Sequence, residues 1–350
     1  MAMVVRLIDY KQFPCTTSVL QSSFWAAVKH GTGWMPYAFS VEDESYSFSL
    51  LVLVKQVLPL MSLAYVPFAP PLDVLDRVVV HELLRSLSKQ LKKLLPHGVF
   101  ALRFDLPFDG PNEENVLVVS GPRLHACRES VQPEGTVRID LRAGYAAVTE
   151  AYRERAKRAL RKAGQAFEVG LYGGDDPAFK RWYDVYLETA KRDGFSPRSA
   201  KYLKALLNLD GKVHADVACK LLLATQKRKI VGGIIVVFGP SEALYLYGAS
   251  LRFDGLSCAH LLQDYAIRMA CERSCAFYDL YGISGPSGRG AHLAGLEIFK
   301  LSFGGQCYYR TPSTDYVYAL LPWRFYTLLE HMRYRMNRQL KSQEGVPPNS

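Results

Sequence analysis

The feature that most constrains the fold is an order of apolar strands and amphipathic helices that occurs twice along the chain. In the first third, short apolar runs separated by turn residues predict an antiparallel sheet with a helix before it and another beside it. The predicted strands cover residues 37–41, 47–57, 61–66 and 98–106, and the predicted helices cover 20–30 and 72–95.

The second part of the chain follows the same scheme. Helices are predicted at 144–163, 177–191 and 259–272, and strands at 167–171, 221–225, 230–238, 243–248 and 276–281. Two such units of similar size predict a duplicated α+β fold, although the sequence contains no clear internal repeat. A basic amphipathic helix is predicted at 323–340, and the polar residues 341–350 are expected to form a disordered tail.

The composition fits a folded protein without a membrane span. The 350 residues are 49% apolar, which is enough to form the cores of two domains. The most apolar stretch, 49–70, is interrupted by Lys55, Gln56 and three prolines, so it lacks the roughly 20 uninterrupted apolar residues of a spanning helix. The N-terminus has no secretory signal pattern and the seven cysteines are scattered, so we expect a cytoplasmic protein with reduced thiols.

The positive charge of the chain predicts anionic partners. A formal net charge of +10 favours nucleic acid, phosphorylated small molecules or anionic membrane surfaces. In the predicted helix around residues 152–163, a single acid, Glu154, accompanies six basic residues: Arg153, Arg155, Lys157, Arg158, Arg161 and Lys162. Because a bound phosphate relieves the repulsion of such a face, we favour phosphate binding over a merely solvated surface. For the helix at 323–340, membrane contact, a solvated face and an interdomain face all stay open.

Several single residues are candidates for chemistry. Lys300 lies between apolar neighbours, so it either extends along an apolar surface to water or points into a cleft, where its ammonium group suits an oxyanion. Asp105 and Asp279 end predicted strands and are either turn formers and caps or functional carboxylates. Tyr247 alternates with Tyr245 on one predicted strand, so the two share a face that belongs to the core or to a ligand site.

Motifs of several other enzyme classes are absent. The chain has no GxSxG, no phosphate-binding Gly-Lys-Ser/Thr loop, no HExxH and no paired CxxC. Cys271 and Cys275, the only close cysteines, are expected to be ordinary core residues, so neither a metal ion nor another cofactor is expected. The segment RFDGLSCAH is similar to the phosphate-binding loop of acyl-CoA N-acetyltransferases, but Ser257 stands where that loop has glycine or alanine, which weakens a coenzyme A site.

Seven short segments follow one another along nearly the whole chain. They are QSSFWAAVK with Gln21, Trp25 and Lys29, then LAYVPFAPPL, LRFDLPF, RAKRALRKAG, YLYGAS, YDLYGISG and FKLSFGG. Each is weak alone, but their common order is hard to obtain by chance. In this order the chain resembles the FemABX family of peptidoglycan-bridge aminoacyltransferases. Only a short stretch separates the helix near Tyr202 from the strand at 221–225, so it resembles the compact members that lack a coiled-coil arm.

The resemblance implies a fold and a domain arrangement. The fold is α+β, with two acetyltransferase-like (GNAT-type) domains, each a mixed, mainly antiparallel sheet flanked by helices. Residues 1–138 and 314–340 would form the first, precursor-binding domain, and residues 139–313 the second.

The resemblance also implies roles for single residues. Lys29, Trp25, Arg158 and Arg161 would hold the diphosphate and sugar-peptide part of a precursor in a cleft between the domains. Which arginine of the basic helix is the equivalent one stays open. A further departure is that Phe68 and Ala69 stand where relatives often carry arginine and glycine.

The catalytic roles implied by the resemblance belong to three residues. Asp105 would lie near the acceptor amine, Lys300 would stabilise the developing oxyanion, and Tyr247 would line the same site. No metal ion is needed, because an aminoacyl ester is already activated and its conversion into an amide is downhill.

The activity implied is the transfer of glycine, alanine or serine from an aminoacyl-tRNA to the side-chain amine of the diamino acid in a peptidoglycan precursor. The precursor would be lipid-linked or UDP-linked, and the reaction would serve cell-wall biogenesis and cell shape. Expected partners are charged tRNA and this muropeptide, with contact to the inner face of the membrane left open and no DNA. The alternatives are an acyl-CoA-type N-acyltransferase acting on another amine and a non-catalytic tRNA-binding protein.

Overall fold

Two units make up the chain. The structure, a computed structural model, describes residues 3–15, 18–71, 75, 80–108, 110, 119, 121–213, 216–252, 256–285 and 293–343. The first unit is formed by Met1–Gly135, Ser284–Ala291 and Tyr308–Gln343, and the second by Thr136–Ile283 and His292–Cys307. The domain boundaries that the resemblance implies stay a prediction.

The first unit contains a seven-stranded sheet in the described residues. Its strands are β1 Val4–Ile8, β2 Met35–Glu42, β3 Ser47–Leu58, β4 Met61–Pro67, β5 Val99–Asp105, β6 Leu124–Ala126 and β14 Thr314–Val317. They lie in the order β1-β2-β3-β4-β5-β14-β6, with β1 to β4 antiparallel and β5 parallel to β4. Because β14 pairs with both β5 and β6, a segment from near the end of the sequence completes the first sheet.

Three helices of the first unit lie beside this sheet. They are α1 Ser23–His30, α2 Val80–Leu94 and α9 Leu320–Gln343 within the described residues. The Ser22 hydroxyl caps α1 by accepting a hydrogen bond from the Trp25 backbone N–H at 3.1 Å. Four leucines spaced for one helical face bury α2 against the core: Leu83, Leu84, Leu87 and Leu91. Of the helix predicted at 72–95, residues 72–74 and 76–79 lie outside the described part.

The second unit has its own sheet, again of seven strands in the described residues. The strands are β7 Gly135–Asp140, β8 Glu168–Tyr172, β9 Ala218–Gln226, β10 Lys229–Phe238, β11 Glu242–Ser250, β12 Phe277–Asp279 and β13 Gln306–Tyr309. They lie in the order β13-β7-β12-β11-β10-β9-β8. β8 to β11 are antiparallel, β12 is parallel to β11, and β7 is antiparallel to β12. This arrangement has the same succession of pairings as β1 to β5 and β14 in the first unit.

The helices of the second unit differ from the prediction at two points: one predicted helix is broken, and the helix at Ala294–Leu301 was not predicted. They are α3 Gly144–Glu150, α4 Glu154–Ala166, α5 Pro177–Asp193, α6 Ala200–Asn208, α7 Cys258–Glu272 and α8 Ala294–Leu301. The single helix predicted at 144–163 is broken before α4, because Arg153 is extended and its backbone N–H donates to the Ser302 carbonyl at 2.9 Å. The neighbouring Tyr152 is buried and donates its hydroxyl to Asp264 at 3.0 Å.

The predicted fold class is confirmed: each unit is a mixed, mainly antiparallel sheet with helices beside it. The last predicted helix, 323–340, corresponds to α9 and is longer than predicted, because α9 continues to Gln343. The remaining residues of the predicted tail, 344–350, lie outside the described part of the chain. Among the helices that the structure describes, none combines the length and the apolar character needed to cross a bilayer.

Candidate active site

Lys300 is a buried lysine whose ammonium group contacts backbone oxygens. It lies in the last turn of α8 and is only 5% exposed. Its Nζ donates hydrogen bonds to the carbonyl oxygens of Tyr281 and Gly282. Because an ammonium group has three N–H donors, one is left without a partner in the described part of the chain. Burial lowers the pKa of Lys300 to about 8, against the opposing effect of Asp279, so most of the amine is protonated at pH 7.

The loop that holds Lys300 is fixed by Asp279, the buried last residue of β12. One oxygen of Asp279 accepts a hydrogen bond from the Tyr281 backbone N–H at 2.8 Å, and the other accepts from Arg138 Nε at 2.9 Å. Tyr281 and Gly282 have φ angles of 54° and 48°, in the left-handed region. For a tyrosine this region is sparsely populated, and such residues often mark functional sites. The strained turn presents two successive carbonyl oxygens to the same ammonium group.

Lys300 is a buried cation without a direct ion pair in the described residues. Asp279 forms its ion pair with Arg138, and Lys300 has no carboxylate within ion-pair distance there. The charge of Lys300 is therefore held by backbone carbonyl oxygens where water is largely excluded. In such a medium a fixed cation stabilises negative charge far more than it does in water, so the free N–H of Lys300 is a potential donor to an anion.

Tyr247 lies beside Tyr202 at an irregular point of β11. The register between β10 and β11 shifts between Tyr245 and Tyr247, which makes Leu246 the extra residue of a β-bulge. The regular alternation expected for the two tyrosines is therefore interrupted. The hydroxyl oxygens of Tyr247 and Tyr202 are 3.3 Å apart, and the guanidinium carbon of Arg198 is 5.8 Å from the Tyr202 ring centre. Together they form a polar, aromatic patch on the second unit.

The basic helix α4 presents its charges to solvent. Arg158, Arg161 and Lys162 are exposed and, with Ala159, line a surface depression of about 390 Å³. Ala156 and Ala163 are buried, as expected for the apolar side of this helix, whereas Ala159 is only half-buried. Three cations around one depression form a cradle that suits a phosphate group.

A buried histidine forms part of the packing next to Lys300. His260 on α7 is 6% exposed, and neither ring nitrogen has a hydrogen-bond partner among the described residues. Its ring packs on Phe299 and Phe303, with centroids 4.8 Å and 5.5 Å away. Burial, and then the charge of Arg155, lower the pKa of His260 to about 4, so it is neutral at pH 7. Its neutral ring packs against Phe299, the residue that precedes Lys300.

In the first unit, Asp105 is a fully buried carboxylate surrounded by donors. One oxygen accepts from the Tyr65 hydroxyl at 2.6 Å and from the Gln132 backbone N–H at 3.2 Å. The other accepts from Arg310 Nη1 at 3.1 Å and from the Ser313 hydroxyl. Arg310 is also fully buried, so the two charges compensate each other. With four donors already bound, Asp105 has little capacity left for a substrate amine.

Of the three residues singled out in QSSFWAAVK, Gln21 and Trp25 are buried and Lys29 is half-buried. Gln21 is buried and joins two strands, because its amide bonds the backbone of Leu51 and the carbonyl oxygen of Pro67. Trp25 is also buried, yet its indole N–H has no acceptor within the described chain. The ammonium group of Lys29 lies 4.6 Å from the centre of the Trp25 ring. The indole nitrogen is itself buried, so of this pair the half-buried Lys29 lies nearer to solvent.

The predicted site residues are distributed over both units. The first unit holds Trp25, Lys29 and Asp105, and the second holds Arg158, Arg161, Tyr247 and Lys300. Their location in one shared cleft stays a prediction. No group of three or more His, Cys, Asp or Glu side chains in the described residues is placed to hold a metal ion.

Comparison with known proteins decides the family. The profile of the FemAB family matches residues 8–114 and 216–331, which is more than half of the chain. The chain belongs to the FemAB family. The FemAB assignment confirms the resemblance inferred from the seven segments. It makes the protein a transferase of peptidoglycan synthesis, in general terms a peptidoglycan-bridge aminoacyltransferase.

Solved structures support the FemAB fold. The chain is similar to the crystal structure of FemX, with a TM-score of 0.71 and 17% identity over 91% of this chain and 96% of the other. It is also similar to a tandem GNAT protein from the clavulanic acid biosynthesis pathway, with a TM-score of 0.54 and 11% identity over 89% of this chain and 98% of the other. At these identities the likeness concerns the fold alone. No curated protein sequence matches the chain.

The FemAB match covers some predicted site residues and leaves others out. Lys29, Asp105, Tyr247 and Lys300 fall within the matched ranges, as does Trp25. The basic helix α4 lies in the unmatched stretch between them, together with Arg198 and Tyr202. Which arginine of the basic helix corresponds to that of relatives therefore stays open.

Sequence reasoning missed the residues that complete each FemAB site. Of the partners of Asp105, Tyr65 lies within the segment LAYVPFAPPL but was not singled out there, and Arg310 follows the last of the seven segments. Arg198 precedes the N-cap of α6 and Tyr202 lies in its first turn, so helical spacing does not predict their contact. The backbone carbonyls that hold Lys300 leave no trace in the side-chain sequence.

Proposed function

We propose that this FemAB protein transfers an amino acid from charged tRNA to the side-chain amine of the diamino acid in a peptidoglycan precursor. Glycine, alanine and serine are the proposed amino acids. The neutral amine nitrogen attacks the ester carbonyl and a tetrahedral oxyanion forms. The carbon–oxygen bond to the tRNA ribose then breaks, the nitrogen loses a proton, and the ribose oxygen gains one. The product is an amide and an uncharged tRNA.

The observation that carries this proposal is the buried ammonium group of Lys300. Its third N–H and its own positive charge suit an oxygen that becomes negative only in the transition state. A single donor of this kind contributes about 2.7–4 kcal/mol to catalysis. Holding the amine and the ester in contact supplies a further 7–11 kcal/mol, roughly, without a metal ion or a protein nucleophile.

Asp105 has a different proposed role. Because both of its oxygens are bound by internal donors, it is a poor acceptor for the proton of the attacking amine. We therefore assign it a positioning role. It orients the Tyr65 hydroxyl, which also accepts a hydrogen bond from Gln132 Nε2 at 3.0 Å, near the acceptor.

The binding of two anionic substrates is assigned to two places. The pair of Lys29 and the unsatisfied indole N–H of Trp25 suits the diphosphate and sugar part of the precursor. The exposed arginines Arg158 and Arg161 suit a phosphate of the tRNA or of the precursor. Tyr247, with its neighbour Tyr202, lines the site of the aminoacyl end.

Mass spectrometry of purified precursor tests this function. We expect a mass increase of one or more amino-acid residues when precursor, protein and total charged tRNA are incubated together, and none with deacylated tRNA. Lys300→Ala should lower the rate by about 10²-fold or more, whereas the exposed-lysine control Lys180→Ala should leave it unchanged. Tight binding of tRNA without any turnover would instead support the non-catalytic alternative.

An acyl-CoA-type transferase is the rival function, because the same fold serves both. The Ser257 hydroxyl accepts a hydrogen bond from the Ala259 backbone N–H at 3.3 Å and so caps α7 itself. This cap occupies part of the helix terminus that a pyrophosphate would need. Calorimetry with coenzyme A separates the two functions, since micromolar binding at physiological salt would favour the rival.

A further inference from the structure

The outer face of α9 carries an apolar stripe that nothing in the described chain covers. The stripe is formed by Leu321, Phe325, Leu328, Met332 and Met336. Their residues are between 42% and 78% exposed. Steps of three and four residues place all five on one side of the helix, along about 22 Å of its length. Isolated exposed apolar residues are ordinary, but a continuous stripe of this kind marks a contact surface.

The opposite face of α9 is anchored in the first unit. The Trp323 indole N–H donates to Asp315 at 2.9 Å, and Glu330 accepts two hydrogen bonds from Arg103 at 2.8 Å and 3.1 Å. The Tyr326 ring packs on Phe100, with centroids 5.3 Å apart. The helix therefore cannot rotate to bury its stripe without breaking a buried ion-pair network.

The charges that the structure describes beside the stripe are all positive. At 3.6 residues per turn, Arg324 and Arg335 fall along one edge of the stripe and Arg333 along the other. All three are exposed. The acid Glu330 lies on the anchored face and is bound to Arg103, so it does not offset them. An apolar stripe between arginines is the pattern of a helix that lies in the plane of a membrane surface.

The same charges argue against a second copy of the chain as the partner. If two stripes packed together, each would bring its flanking arginines towards the arginines of the other, with no acidic residue on that face of the described helix to pair with them. An anionic lipid surface instead supplies negative charge on both sides of the stripe.

We propose that α9 docks the protein on an anionic bilayer, with its five apolar side chains at the level of the headgroups and its arginines on lipid phosphates. If the proposed function is also correct, docking on the membrane makes the lipid-linked precursor the acceptor. This consequence rests on the proposed function. Docking itself is independent of catalysis and is measured without substrate.

Vesicle co-sedimentation of the full chain tests docking. We expect binding to vesicles of phosphatidylcholine mixed with phosphatidylglycerol. The decisive variant is Leu321→Ser/Phe325→Ser/Leu328→Ser, because it removes apolar area and leaves the net charge of +10 unchanged. It should lower the partition coefficient about tenfold or more, while its unfolding curve stays that of the wild type.

Two further variants complete the test. Arg324→Gln/Arg335→Gln should also lower binding to anionic vesicles, by a factor of about five for each arginine. The control Leu60→Ser replaces an exposed leucine, 89% exposed, in a turn of the same unit outside the stripe. It should bind vesicles like the wild type. Equal vesicle binding by the serine variant and the wild type would overturn the proposal. So would an absence of binding by the wild type, or a dimer that the serine variant dissociates while vesicle binding persists.

Discussion

Asp105 and Asp279 occupy equivalent positions in the two units, yet they are used differently. Each ends the strand that pairs in parallel with the last strand of an antiparallel run, β5 in the first unit and β12 in the second. Each is buried and bound by an arginine, Arg310 or Arg138. In the first unit the donors saturate the carboxylate. In the second, the carboxylate orders a turn that holds an additional cation, Lys300.

The comparison separates stability from chemistry. A neutral, fully bonded pair fixes local structure but has nothing left to offer a substrate. A cation without a direct ion pair is costly to bury and suits a site where negative charge develops. A duplicated fold thus provides two similar strand ends, of which the second unit's lies beside Lys300, the residue that we propose to be catalytic.

The largest expected effect comes from breaking the saturated pair. Arg310→Met leaves Asp105 as an unpaired buried carboxylate, so we expect the free energy of unfolding to fall by about 3–5 kcal/mol. Denaturant titration followed by circular dichroism measures this loss. As a control, Arg6→Met removes an arginine from an exposed ion pair with Glu42 and should change stability by less than about 1 kcal/mol. A loss as small as that of the control would mean that the Asp105 network is not structural.

Replacing the buried cation Lys300 should change the free energy of unfolding in the opposite direction. Lys300→Met removes a buried ammonium group whose pKa burial lowers from 10.5 to about 8. Below pH 8 the buried Lys300 is protonated, and burying this charge lowers the stability of the folded wild type. The variant lacks the charge, so it should be as stable as the wild type or more stable, by up to about 3 kcal/mol at pH 7. The same denaturant titration detects this. A clear loss of stability would show that Lys300 serves the fold instead.

Asp279→Asn should have an intermediate effect that appears in both stability and rate. It removes the negative charge that accepts hydrogen bonds from Arg138, from the Thr136 hydroxyl and from the Tyr281 backbone N–H. We expect a loss of about 1–3 kcal/mol in unfolding free energy, together with a lower transfer rate, because the turn below Lys300 loosens. Transfer assays at saturating substrate distinguish this from a binding defect. An unchanged rate at reduced stability would separate Asp279 from the site.

The smallest expected effect belongs to the basic helix. Arg158→Ser/Arg161→Ser should weaken tRNA binding and reduce the slope of log affinity against log salt by about one for each phosphate that the helix no longer neutralises. Filter binding over a range of salt concentrations measures the slope. Because both side chains are exposed, stability should not change; an unaltered slope would assign this face to solubility alone.

Much of the fold is predictable because it rests on periodicity. The leucine spacing in α2 and the apolar runs of β2 to β4 predict helix and strands directly. The break before α4 is not predictable in this way, because it depends on a hydrogen bond from Arg153 to the distant Ser302. Short strands such as β14 likewise form because they complete a sheet, and their four residues carry little pattern of their own.

The candidate site is only partly accessible to sequence reasoning for a related reason. Lys300 and Asp105 were identified through their motifs, but their surroundings decide what each can do. Saturation of Asp105 depends on Arg310 and Ser313, which are about 205 residues away in sequence. The position of the Lys300 ammonium group depends on two backbone carbonyl oxygens in a turn with left-handed φ angles. Side-chain patterns in the sequence do not reveal such a turn.

The most direct test is the ratio of the single-turnover transfer rates of wild type and Lys300→Met, measured against pH. The ratio cancels the titration of the acceptor amine, which affects both proteins equally. It should be about 10²–10³ below pH 8 and fall about tenfold per pH unit above it, as the Lys300 ammonium loses its proton. A ratio near one, or a large ratio that does not change up to pH 10, would contradict a role for the Lys300 charge in transfer.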